Sequence, residues 1–239
     1  MTGKAAQDHT IEVGGRIVPV RLRTNARARR IILRTDTTRA DGEAGVVVTL
    51  PNGVAAAEAL SWAAGQTAWI ERQLGKLPDR IPFAPGAVIP LLGTDHVVRS
   101  APEARRGVWT DAEAIYVSGR PEHLARRLAD WLKREARSHI TERARDKAQA
   151  LGVEIGRVSV RDTKSRWGSC AVGGNLNFSW RLILTPDFVF DYVIAHEVAH
   201  IREHNHGNGF WQLVETLTGE TERARAWLNA YGAGLHRYG

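Results

Sequence analysis

One cysteine among 239 residues excludes an internal disulfide. No apolar run is long enough to cross a bilayer, and no membrane association is expected. Met1–Thr10 lacks an apolar stretch, so a secretory leader is not expected and the cytoplasm is the expected location. The chain has no Gly-rich phosphate loop of the GxxxxGK[ST] type and no acidic cluster to hold Mg²⁺ between phosphates. Arg21–Arg30 carries no interleaved aromatic residue, so it lacks the stacking surface of a single-strand binder. Internal repeats are absent.

The composition that remains is that of a globular protein, 43% apolar and 25% charged. The net charge of +7 and pI of about 10.1 admit contact with a polyanion. The basic residues are dispersed, however. Arg126-Arg127 and Lys133-Arg134 alternate with Glu122, Asp130 and Glu135, the pattern of a solvated helix face. Nucleic acid is therefore admitted as a partner but not favoured.

The informative segment is His196-Glu197-Val198-Ala199-His200, followed by His206. Histidines four apart on a helix lie on one face, one turn above each other. Both imidazoles can reach one Zn²⁺, while Glu197 can serve as general base toward a zinc-activated water. Thr185-Pro186-Asp187 reads as a helix start with Thr as cap. Phe188, Val189, Val193, Ile194, Val198 and Ile201 make the helix mostly apolar, hence buried. Asn205 to Gly209 reads as its stop, with Gly207 and Gly209 free to take positive φ. His204 would lie about 6 Å beyond His200 along the axis, at about 1.5 Å per residue. A chain that turns at Asn205 brings His206 back instead. The order of preference for the third ligand is His206, then Glu215, then His204. Cys170 is read as a structural thiol, since a hydrolytic site needs an open position for water.

Upstream, Leu176, Phe178, Trp180, Leu182 and Leu184 alternate with Asn175, Asn177, Ser179, Arg181 and Ile183, which predicts one strand with an apolar and a largely polar face. At a sheet edge, Asn175, Asn177 and Ser179 would line a backbone that pairs with an extended peptide. Arg166, Tyr192 and His204 are the candidates for stabilising the oxyanion of peptide hydrolysis.

Ser165-Arg166-Trp167-Gly168-Ser169-Cys170, Asn175-Leu176-Asn177, Trp180-Arg181-Leu182, Asp191-Tyr192-Val193, the His196–His200 segment, Asn205-His206 and Phe210-Trp211 together resemble the YgjP-like metallopeptidases, zincin-fold relatives of the SprT and WLM proteases. The resemblance is most specific over residues 155–215. It implies a zincin-like core, one zinc per chain on His196, His200 and His206, Glu197 as base, and a peptide or protein substrate. Gly207 stands where the family usually has Ser; SprT-like proteins also carry Gly there. Some family members bear a UTP pyrophosphatase label, which stands as an alternative, as does a non-catalytic metal-containing module that binds DNA or protein.

The expected fold class is α+β, with a flexible tail over 1–9, an N-terminal β-rich domain with one helix over 10–118 and a zincin-like catalytic domain over 119–239. In the first part, strands are expected at Ile11–Val13, Ile17–Arg23, Arg30–Arg34 and Gly45–Leu50, and one helix from Ala55 to Leu77. Trp62 and Trp69, seven apart on that helix, are expected on one face. Pro78 and Pro82 mark a linker. Four further strands precede Pro121, which opens a long helix from Glu122 to Leu151.

Overall fold

The computed structural model describes residues 8–36, 44–75, 80–163 and 165–239. Most of the expected 1–9 tail, most of the Asp36–Glu43 loop, and Pro78 lie outside them. The molecule is α+β, and its chain groups into two compact units, residues 1–79 and 80–239.

In the first unit, strands β1 (Asp8–Val13), β2 (Arg16–Thr24), β3 (Ile32–Asp36) and β4 (Gly45–Leu50) form a sheet in the order β1-β2-β4-β3. Val18, Val20, Val46 and Val48 alternate onto one face and are almost fully buried there with Ala59, Ala63 and Ile70 of two helices. Those helices are α1 (Ala56–Ala64) and α2 (Thr67–Leu74). Gly65 and Gln66 interrupt what the sequence presents as one helix, so Trp62 and Trp69 are on different helices. Trp69 packs against the core, whereas Trp62 is exposed.

In the second unit, β5 (Val88–Leu91), β6 (Thr94–Ala101), β7 (Val108–Thr110) and β8 (Ala114–Ser118) form a four-stranded sheet ordered β5-β6-β8-β7. The sequence grouped these strands with the N-terminal part, divided at 118. The structure divides the chain at 79/80, because Ile89, Val98, Ile115 and Val117 share a core with the long helix α3 (Leu124–Leu151). α3 buries Leu124, Leu128, Leu132, Ala136, Ile140, Ala144 and Ala148, a row at spacing four down one face. Gly152, at φ +66°, ends it in the left-handed cap that glycine adopts without strain.

A three-stranded sheet follows, ordered β10-β11-β9, from β9 (Val158–Arg161), β10 (Gly168–Cys170) and β11 (Leu176–Ser179). Three sequence expectations are corrected here. The strand does not run to Leu184; it stops at Ser179 and becomes a 3₁₀ turn over Trp180–Leu184. The presumed polar face is buried from Ser179 onward, while Asn175 is exposed. Arg181 is 7% exposed, because its guanidinium pairs with Asp162 and donates to the carbonyls of Leu235 and Tyr238. Nor is the strand an edge: β11 pairs with antiparallel β10 on one side and parallel β9 on the other. The backbone along Asn177 and Ser179 is therefore already used, and Asn175, Asn177 and Ser179 are not placed to receive a peptide. The edge strands of this sheet are β10 and β9.

The remaining elements are α4 (Asp187–Arg202), α5 (Asn208–Thr218), α6 (Thr221–Tyr231) and a 3₁₀ turn over Gly232–Arg237. Thr185 does not cap α4. Its hydroxyl donates back to the Leu182 carbonyl at 2.7 Å, and Pro186 stands at the cap position. The tip of the β5–β6 hairpin braces this entry: the Leu92 N–H donates to the Ile183 carbonyl at 2.9 Å.

Candidate metal centre

α4 presents His196 and His200 on one face because four residues make just over one helical turn. The helix ends at Arg202, and Glu203 leaves it in extended conformation. The turn therefore starts before the expected Asn205, and neither Gly207 (φ −77°) nor Gly209, inside α5, uses a positive φ. The turn nonetheless returns His206 to the helix face. The ligand atoms of His196, His200 and His206 lie within 4.8 Å of one another, and Nε2 of His206 is 3.2 Å from Nε2 of His196. Glu215 and His204, the other candidates for a third ligand, are exposed and outside this cluster.

The rings are held from behind. Nδ1 of His200 is 3.0 Å from the Glu203 carbonyl, the hydrogen bond by which an imidazole fixes its tautomer and turns Nε2 outward. Phe210, fully buried, stacks on His200 at 4.4 Å and meets His196 and His206 edge-on. Trp211 stacks on His206 at 5.6 Å. The Tyr192 hydroxyl lies 3.4 Å from Nδ1 of His196, on the opposite edge of the ring from Nε2. Burial lowers the pKa of His196 to about 4, with the neighbouring His200 and His206 adding to the effect. It lowers that of His200 as well. Neutral imidazoles are the form that donates a lone pair to a metal.

Glu197, next along α4 from His196, lies against β10. It is 6% exposed, and burial raises its carboxyl to about 7 against the opposing pull of Arg166 and the Cys170 backbone N–H. Gly168 makes this contact possible: a Cβ there would lie 2.5 Å from both Cγ and Oε1 of Glu197. The sequence reading took Cys170 as a structural thiol, gave Gly168 no role of its own and missed that they cradle the carboxylate. The available signal was strand parity, which puts residues 168 and 170 on the same side. The Cys170 thiol is outside the histidine cluster, and burial pushes its pKa up.

No helix among the described residues is long and apolar enough to cross a membrane. No curated protein matches the sequence. Among solved structures, the chain is similar to the crystal structure of the metallopeptidase zymogen of Pyrococcus abyssi abylysin, at 19% identity and a TM-score of 0.33, over 38% of this chain and 93% of that one. The YgjP-like metallopeptidase domain matches residues 34–231, which takes in every residue of the histidine cluster and both strands of the β10–β11 hairpin, and on that match the chain belongs to the YgjP-like metallopeptidase family.

Proposed function

We propose that the protein is a zinc-dependent peptidase in which His196, His200 and His206 hold the metal and Glu197 is the general base. The observation that carries this is the pairing of three convergent imidazoles with a buried carboxyl from the residue next to the first of them. Three nitrogen donors suit zinc and leave a fourth position for water or substrate, whereas a purely structural site is closed by four. Zinc so held supplies Lewis acidity, acidifying water and polarising a scissile carbonyl.

The chain's own residues do the rest. Glu197, raised toward neutrality, accepts a proton from water and passes it to the leaving amine. Gly168 and the Cys170 N–H keep that carboxyl in one place. The outer edge of β10, apart from the Cys170 N–H that serves Glu197, offers backbone groups to an extended peptide, which fits a protein or peptide substrate better than a nucleotide. The catalytic part is the second unit, and the first is an accessory one.

The test is metal analysis together with turnover on unfolded casein, a random peptide library and UTP. One zinc per chain and peptide cleavage are expected. Glu197→Gln should keep the zinc and lose about 10²-fold or more in kcat; His200→Ala should lose the zinc. Glu197-dependent cleavage of UTP with inert peptides would replace this reading with a pyrophosphatase. Full zinc in His200→Ala would overturn the ligand assignment.

A further inference from the structure

Two arginines stand near the site, and they differ in what holds them. Arg225 on α6 pairs with Glu222 at 2.8 Å and lies over the Trp211 ring at 4.9 Å. Arg166 is exposed, and among the described residues no hydrogen bond or ion pair engages its guanidinium. Its backbone, by contrast, is fixed. The Thr163 hydroxyl donates to the Arg166 carbonyl at 2.8 Å, and the Ser179 N–H donates to the Trp167 carbonyl at 2.8 Å. The Trp167 ring stacks on His236 at 5.4 Å, so the residue beside Arg166 is pinned as well.

Gly168, the first residue of β10, faces Glu197, and Arg166 lies two residues before it, outside the strand. The charge of Arg166 is felt at the Glu197 carboxyl. Among the described residues, an exposed guanidinium with no hydrogen-bond or ion-pair partner therefore stands just before the edge strand β10, near the proposed base. An oxyanion stabiliser is preorganised in a water-excluded site. An exposed, unbraced guanidinium is suited instead to a group that arrives with the substrate, and its planar fork matches a carboxylate.

We propose that Arg166 is a specificity residue that reads a carboxylate of the peptide substrate close to the scissile bond, from an acidic side chain or a free C-terminus. The proposal rests on the peptidase reading above for where the peptide lies. Its test uses binding, so that it does not depend on turnover. The zinc-loaded Glu197→Gln protein is titrated with short capped peptides carrying Asp, or Asn in its place, at each position in turn. A second series compares free with amidated C-termini. One carboxylate peptide should bind about 5- to 30-fold more tightly than its neutral counterpart, the size of a charge-assisted hydrogen-bond pair, and the two series tell which carboxylate is read. Arg166→Ala should bring that ratio close to one, and Arg166→Lys should keep part of it. Equal binding, no binding, or a ratio that survives Arg166→Ala overturns the proposal. Wild-type turnover is measured separately: selective binding without cleavage would sink the peptidase reading and leave Arg166 as a carboxylate reader.

Discussion

Glu197 and Gly168 act as a pair, one carboxyl and one absent side chain. Gly168→Ala puts a methyl group 2.5 Å from the Glu197 carboxyl, which must move. The nearest atoms all belong to Glu197, which is not among the proposed ligands, so the variant should bind zinc normally and lose about 10²-fold in kcat, the scale set by misplacing the proposed base by about an ångström. Metal analysis beside steady-state kinetics checks this; wild-type kcat would mean that the close approach is not required. Burial also gives Glu197 a pH signature in the metal-free protein. Its carboxyl titrates near 7 in the folded chain, against an ordinary value of 4.5. Between these values the folded state holds a proton that the unfolded state has released. Stability from this group is therefore gained as pH falls, by about 1.4 kcal/mol per unit. His196, lowered from 6.5 to about 4, works in the opposite sense and costs stability over much of the same range. In chelator, Glu197→Gln should thus lose stability relative to wild type by about 3 kcal/mol between pH 7 and 4.5. Parallel urea-midpoint curves for the two proteins would show that the carboxyl is not held as described.

At the level of elements, α4 is secured by ion pairs that reach it from α3. Arg143 engages Asp187 and, at 3.5 Å, Asp191; Lys147 donates to Asp191 at 2.8 Å and to the Leu217 carbonyl of α5 at 2.8 Å. The Lys147 side chain is only 11% exposed, so Asp191→Ala leaves a poorly hydrated ammonium without its carboxylate. That should cost about 2 kcal/mol. A midpoint unchanged in chemical denaturation would count against the network. These ties are between segments far apart in sequence, and periodicity does not reveal them. What periodicity did reveal is the set of elements with a strong local signal: the α3 stripe, the His196 helix, and the return of His206 at a Gly-rich turn. It failed where burial was bought by long-range partners. Arg181 looked solvent-facing because Asp162, Leu235 and Tyr238 are remote from it in sequence. The same blindness made β11 an edge strand, since β9 joins it across a connection that no alternation records.

For the whole molecule, the two units differ in what metal can do for them. The first core, from Ile11 to Ile70, contains no residue of the histidine cluster. The second contains Val193, Val198, Ala199 and Phe210, which flank or touch the three histidines. A ligand that binds only the folded state stabilises by RT ln(1 + [L]/Kd), about 4 kcal/mol at a free concentration of 1,000 Kd. Because α4 supplies two of the three imidazoles and the turn before α5 supplies the third, zinc bound as proposed would add a tie between segments already held by packing and by Lys147. Its free energy should therefore appear in the second unit. Chelation is expected to lower hydrogen-exchange protection in α4 and α5 while leaving the amides of β2 and β4 unchanged. The Glu197→Gln protein should respond as wild type does, since Glu197 is outside the histidine cluster. Protection lost equally in both units on chelation would mean that they unfold as one, and protection lost in neither would mean that the histidine cluster holds no ion that matters to the fold.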